Sequence, residues 1–351
     1  MSPRVSVFRT VPEIRFGCGA IQQVGEVARA LGATRVAVVT DGGIVRAGLY
    51  APVRASLEAS GFEPALYKDV APDPPLAIVE DCLDFLRAEG ADLVLGLGGG
   101  SALDVAKASA VMHANPGPIR RYAGMDLVPE PGLPTILVPT TAGTGSEVTS
   151  IAVLSDPVDQ VKVGVVSDHL FARAAVLDPE LTLGLPPHIT ASTGLDALIH
   201  AIESYTGNHA TFVTEPLALA AIRLIGANTQ TGGAHACALS LGARFHLPHG
   251  VATALMLPAV MRFNAPAVPE KYAQIAEALG APSDALDAVT ACVRLIRDVG
   301  FDLGLERHGV REEDVPALTE GAMAAARLWA NNPRTTSKAE VRGIFEDAFG
   351  S

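Results

Sequence analysis

The run Ala91-Asp92-Leu93-Val94-Leu95-Gly96-Leu97 passes directly into Gly98-Gly99-Gly100-Ser101 and then into a helix-forming stretch, Ala102-Leu103-Asp104-Val105-Ala106-Lys107. A nearly unbroken apolar run of this length reads as a strand buried on both faces, as parallel sheets require. Two more runs, residues 35–40 and 135–139, share that character, and residues 48–60 and 76–89 show helical spacing. Short buried strands alternating with amphipathic helices specify βαβ units, so the first half is predicted to be α/β, a parallel sheet covered by helices on both faces. From about residue 189 the pattern changes to Ala- and Leu-rich segments of helical periodicity at 196–204, 216–225, 269–279 and 283–299. A chain of 351 residues is long for one domain. We therefore expect an α/β domain over residues 1–185 followed by an all-α domain over 186–351.

The acidic balance, 38 Asp and Glu against 26 Lys and Arg for a net charge of -12, excludes the general basic surface that nucleic acids or anionic membranes require. No apolar run reaches the roughly 18 residues of a membrane span. The opening Met1-Ser2-Pro3-Arg4-Val5 lacks the layout of a secretion signal. The cysteines Cys18, Cys82, Cys237 and Cys292 are scattered without a CxxC pair, which points to a reduced, cytoplasmic setting rather than a disulfide framework.

Glycines where a strand hands over to a helix let backbone approach a phosphate, and the helix N-terminus offers free N–H groups and a partial positive charge. The spacing here is neither GxGxxG nor a Walker loop, and such turns also serve tight packing alone. A second loop, Pro139-Thr140-Thr141-Ala142-Gly143-Thr144-Gly145-Ser146-Glu147, follows the third strand and is rich in hydroxyls. Two such loops at C-terminal strand ends lie where open α/β sheets bind ligands, so the first domain is read as Rossmann-like and nucleotide-binding. Asp41 ends the first strand. It has two readings, a helix cap or an acceptor for the adenosine ribose that repels a 2′-phosphate and so favours NAD over NADP.

In Leu195-Asp196-Ala197-Leu198-Ile199-His200-Ala201-Ile202-Glu203, Asp196 and His200 are four apart and share one face of an otherwise apolar helix. His235 and His249 follow, fourteen apart. One carboxylate and three imidazoles suit Fe²⁺ or Zn²⁺ better than Mg²⁺ or Ca²⁺. Buried polar side chains need partners, and a metal supplies one.

Together these residues resemble the iron-containing (group III) alcohol dehydrogenases. The resemblance runs from Phe16-Gly17-Cys18-Gly19-Ala20 through Gly98-Gly99-Gly100-Ser101 with Asp104 and Lys107, Pro139-Thr140-Thr141-Ala142-Gly143-Thr144, and Leu177-Asp178-Pro179. It continues to Asp196–Glu203, Pro248-His249-Gly250 and Asn332-Pro333-Arg334. It implies an α/β nucleotide-binding domain, a helical metal-binding domain and a cleft between them. It further implies NAD, Fe²⁺ or Zn²⁺, a small alcohol or aldehyde substrate, and a homodimer or larger homo-oligomer. The family's metal ligands fall on Asp196, His200, His235 and His249, and its pyrophosphate loop on Gly98, Gly99, Gly100 and Ser101. Further cofactor contacts fall on Asp41, Asp104, Thr140, Thr141, Thr144 and Leu181. Lys162 matches a lysine near cofactor and metal. The implied reaction is metal-assisted hydride transfer between an alcohol and a nicotinamide.

Two departures stand against the family pattern. Many relatives carry a histidine where this chain has Leu239, so the resemblance leaves proton transfer to water, His246 or Cys237. Against the family pattern the chain is also about thirty residues short around 226–234, enough for two or three helical turns with loops at about 1.5 Å per residue. The alternatives are a maleylacetate-reductase-like or glycerol-dehydrogenase-like enzyme, or a nucleotide-binding relative that has lost turnover.

Overall fold

The computed structural model describes residues 6–159, 161–224, 233–245 and 247–349. His246 and most of the expected gap at 226–234 therefore lie outside the described residues. The chain divides into two compact units, one spanning Arg9–Pro186 and the other combining the chain from Pro187 onward with the residues that precede Arg9.

The first unit alternates strand and helix. Its strands are β1 (Ile14–Phe16), β2 (Val36–Val39), β3 (Ala65–Tyr67), β4 (Leu93–Gly98), β5 (Gly124–Met125), β6 (Thr135–Pro139), β7 (Ile151–Asp156), β8 (Val161–Val166) and β9 (Ala174–Leu177). Its helices are α1 (Val24–Ala30), α2 (Gly42–Arg46), α3 (Tyr50–Ala59), α4 (Ala77–Ala88) and α5 (Gly100–Met112). Six strands form one parallel sheet in the order β1-β9-β6-β4-β2-β3. Every residue of β2, β4 and β6 is buried, as the apolar runs predicted. The strand period of two then divides the core. Val36, Val38, Leu95, Leu97, Ile136 and Val138 face one cluster with α1 and α3, whereas Ala37, Val39, Val94 and Leu137 face another with α4 and α5. A second sheet, β5-β8-β7, places β7 antiparallel to β8 and at an edge.

Strand order decides where a ligand can go. The chain leaves β2 for β3 on one side and leaves β4 for β6 on the other, so the crossovers diverge between β2 and β4. Diverging crossovers open a crevice outside the C-terminal strand ends. Asp41 follows β2 there, and Gly98 ends β4.

The unit that begins at Pro187 is helical: α6 (Pro187–Thr206), α7 (Thr214–Leu224), α8 (Gly233–Phe245), α9 (His249–Asn264), α10 (Pro269–Ala278), α11 (Ala285–Asp298), α12 (Val315–Ala324), α13 (Ala326–Asn331) and α14 (Lys338–Phe349). One core joins them. Leu198, Ile199 and Ile202 of α6 meet Ala236, Cys237 and Leu241 of α8 and Leu255, Met256 and Val260 of α9 in it. Among the described residues no helix is long and apolar enough to cross a membrane.

Gly96 sets the seating of α5 on the sheet. A Cβ there would stand 2.7 Å from Leu137 Cδ2 and 2.9 Å from Ala106 Cβ. Gly96→Val is expected to lower unfolding free energy by about 1–3 kcal/mol through overpacking, read as a lower denaturant midpoint at constant m-value.

Candidate metal centre and nucleotide site

Helix α6 carries Asp196, His200 and Glu203 at i, i+4 and i+7, so all three lie along one face. Asp196 is 2 % exposed and Glu203 6 %. Two buried carboxylates two turns apart need positive charge nearby. Helices α8 and α9 supply it. His235 Nε2 lies 3.5 Å and His249 Nε2 3.7 Å from the same oxygen, Asp196 Oδ1. Both Asp196 Oδ1 and His235 Nε2 are buried and without a hydrogen-bond partner. A tetrahedral ion with bonds near 2.1 Å needs ligand atoms roughly 3.4 Å apart. The three atoms thus match the spacing of an ion's ligands, and an ion would satisfy the two orphans at once. Among the described residues, Asp196, His235 and His249 form the cluster whose donor atoms converge.

His200, the fourth expected ligand, lines the same place. Its Nδ1 is 4.0 Å from Asp196 Oδ2, and its ring stacks on that of His235 with centroids 4.6 Å apart.

Glu203 was present in the motif but had no role in the sequence reading. Its Oε2 accepts from His235 Nδ1 at 2.5 Å, and its Oε1 accepts from the Ala234 N–H at 2.7 Å. One oxygen therefore fixes the ring with Nε2 toward Asp196, and the other caps the first turn of α8. Its i+7 spacing from Asp196 is the signal that would have found it.

Burial alone would lower the His235 pKa, but Glu203 and Asp196 overcome that and push it up to about 9. Burial likewise opposes ionisation of Asp196, yet the surrounding histidines hold its carboxyl well below the usual range. Leu239 sits one turn beyond His235 and packs against the apolar core. Burial pushes the Cys237 thiol far up, so it keeps its proton and acts as a packing residue.

In the α/β unit Asp41, Thr141 and Thr144 gather against the glycine turn at the crevice. Gly98 has φ 146°, a conformation that favours glycine, and a Cβ there would strike Ala102 Cβ at 2.8 Å. A Cβ on Gly100 would lie 2.9 Å from Thr144 Cγ2, and one on Gly99 would lie 3.5 Å from Thr141 Cγ2. Thr144 and Thr141 thus lie against the glycine turn. Gly99 caps α5 without a side-chain bond, leaving first-turn N–H groups, near Ser101, for an anion. Thr140 N donates to Gly98 O at 3.0 Å, and the buried Thr140 Oγ1 has no partner.

Asp41 fulfils its capping reading. Oδ1 caps α2 by accepting from Gly43 N at 2.7 Å and Ile44 N at 3.0 Å, while Oδ2 lies 3.6 Å from where a Gly98 Cβ would be. Leu181 is buried in the apolar cluster of that unit. Lys162, on β8, pairs with Asp73 and donates to Ser155 Oγ at 2.9 Å. Asp73 has φ 54°, left-handed for a non-glycine residue, and nothing in the sequence marked it. Asp104 turns inward: its oxygens accept from Ser146 Oγ and Val153 N.

The family model described as iron-containing alcohol dehydrogenase matches residues 12–179. Its C-terminal counterpart matches 190–231 and 227–349, two pieces that meet at the shortened segment. The chain is 39% identical to a sulfoacetaldehyde reductase of Bilophila wadsworthia over 382 aligned residues, covering 98% of this chain and 99% of that one. Because that alignment exceeds the 351 residues here, at least 31 of its positions have no counterpart in this chain. A crystal structure of 1,3-propanediol oxidoreductase matches with TM-score 0.94 and 35% identity over 99% of this chain and 100% of that one. A sulfoacetaldehyde reductase from Bifidobacterium kashiwanohense in complex with NAD+ matches with TM-score 0.89 and 27% identity over 99% and 100%.

Two outcomes follow from the Glu203–His235 pair. Glu203→Gln offers an amide N–H to His235 Nδ1 and favours the tautomer with Nε2 protonated, so metal affinity in chelator competition is expected to fall about 10–100-fold. The metal-free protein also carries a proton on His235 below pH 9 that a metal must displace. Affinity is expected to weaken as pH falls below 9, with proton release on binding measurable by calorimetry in buffers of different ionisation enthalpy.

Proposed function

The chain belongs to the iron-containing alcohol dehydrogenase family and is an oxidoreductase, and we propose that it interconverts a small primary or secondary alcohol and its aldehyde or ketone with NAD. The observation that carries this reading is the convergence of Asp196 Oδ1, His235 Nε2 and His249 Nε2, two of them buried and unpartnered. Asp196, His235 and His249 are the ligands, with His200 completing the set. The donors suit Fe²⁺ or Zn²⁺, and the family's name favours iron.

The bound ion would supply Lewis acidity toward the substrate oxygen. The protein's own groups do the rest. Asp196 brings a full negative charge to the centre, and Glu203 holds the Nδ1 side of His235 so that Nε2 is the nitrogen presented to the ion. Gly98, Gly99, Gly100 and Ser101 at the N-terminus of α5 hold the pyrophosphate. Thr140, Thr141 and Thr144 hold the nicotinamide side. Asp41 Oδ2 faces the ribose and disfavours a 2′-phosphate, which supports NAD over NADP. Lys162, held by Asp73, takes the catalytic part that the family resemblance gives it. Leu239 cannot carry a proton, so water takes that part along His249, whose side chain is 41% exposed.

The substrate reading rests on relatives named for sulfoacetaldehyde and 1,3-propanediol, both small oxygenated compounds. We read the enzyme as a cytoplasmic homodimer or larger homo-oligomer. Four unpaired cysteines support the reducing compartment, and family habit supports the assembly. The intact ligand cluster favours turnover over a nucleotide-binding relative without it.

The test is metal content of the purified protein together with NADH formation from short alcohols and diols, before and after chelation. Near-stoichiometric Fe or Zn and chelator-sensitive turnover are expected, with NADP a poorer acceptor than NAD. Turnover that survives complete removal of metal would refute the mechanism.

A further inference from the structure

Helix α5 is buried from Ala102 through Met112, yet it carries Asp104 and Lys107 among its alanines and valines. They are three apart and share a face. Lys107 is fully enclosed, with Nζ 3.1 Å from Asp104 Oδ1. Its ammonium donates to the carbonyls of Ser146, at 2.8 Å, and Ile151. Asp104 Oδ1 accepts from Ser146 Oγ at 2.6 Å, and Oδ2 accepts from Val153 N at 2.9 Å.

Two features set this pair apart from an incidental ion pair. β7 is an edge strand, and the N–H of Val153 and C=O of Ile151 point away from its partner β8. The Asp104 and Lys107 side chains satisfy them as a neighbouring strand would. The pair also grips Ser146, two residues after Thr144, which itself lies against Gly100 at the start of the same helix. Burial drives the Lys107 pKa down and that of its neighbour Glu147 up, and the Asp104 carboxylate opposes the shift on Lys107. An apolar pair of similar volume would commonly be as stable, which leaves the geometry it imposes as its distinctive contribution.

We propose that Asp104 and Lys107 are positioning residues for the nicotinamide cofactor, pinning loop 140–149 to the helix whose N-terminus receives the pyrophosphate. The inference rests on the dehydrogenase reading above. Neither side chain touches cofactor. The pin holds the hydroxyls of Thr140, Thr141 and Thr144 in fixed register with Gly98, Gly99 and Gly100, so the two walls of the nucleotide site stay matched. A purely structural pair would lower stability in variants and leave the folded fraction's cofactor affinity unchanged.

Lys107→Met and the milder Ser146→Ala, in the full-length protein, separate the two roles, the second standing in if the first fails to fold. Hydrogen exchange of residues 140–153 without cofactor reads the pin alone. NADH affinity by fluorescence and the split of KM for NAD against kcat read its consequence. Faster exchange confined to this segment is expected, with unchanged metal content and a fall in kcat/KM for NAD of about 10–100-fold, carried mainly by KM. Unchanged exchange in both variants overturns the pin. Faster exchange with NADH affinity and KM at wild-type values overturns the positioning role. Wild-type protein that binds no NADH overturns the dehydrogenase reading and with it the cofactor half of the proposal, while exchange still decides the pin.

Discussion

A carboxylate taken out of water must be matched by positive charge or by hydrogen-bond donors, and Asp196 is matched by histidines on two other helices. An isolated buried carboxylate would protonate rather than remain charged. That constraint organises the helical unit. It fixes which faces of α6, α8 and α9 turn toward one another, and it leaves Asp196 Oδ1 and His235 Nε2 without partners until a cation arrives. Glu203 extends the same logic one layer outward, by charging the far side of the His235 ring. The centre is therefore poised between two cations, a proton when empty and a metal when loaded.

The α/β unit solves a different problem with the same economy of parts. Its nucleotide loops come from separate strands, and loops left to themselves are mobile. Helix α5 removes that freedom. Its N-terminus is the proposed anion site, its backbone sits close on β4 because residue 96 has no side chain, and its second turn holds the loop that follows β6. Asp41 joins in from β2, with one oxygen ordering its own helix and the other directed at the glycine turn.

The four proposed metal ligands all lie among the described residues, on either side of the shortened stretch around 226–234. Asp196 and His200 belong to α6, His235 to α8 and His249 to α9, and those helices share one apolar core. Helices held by mutual burial keep their register whatever the length of the chain between them, since loop length enters closure entropy only logarithmically. Glu203 adds a direct tie, because it caps α8 at Ala234 just where the shortened segment delivers the chain.

Local sequence was enough to determine the three central strands β2, β4 and β6, the helices α3, α4 and α5, the glycine turn, and the spacing of Asp196 and His200. Those features have periods of two or 3.6 residues or lie within one turn, so their signals are contained in a few consecutive residues. The tertiary structure alone decided the roles that depend on distant partners. Asp104, expected at the cofactor, spends its oxygens on Ser146 and Val153, 42 and 49 residues away. Glu203 gained its role from His235, 32 residues on, and Asp73 from Lys162, 89 residues on. Asp41 had two uses open to it; packing shows Oδ1 in the helix cap and Oδ2 standing beside the β4 turn. A side chain's chemistry is written in its own position, but its partner is chosen by packing, and no local pattern encodes which distant residue burial will bring beside it.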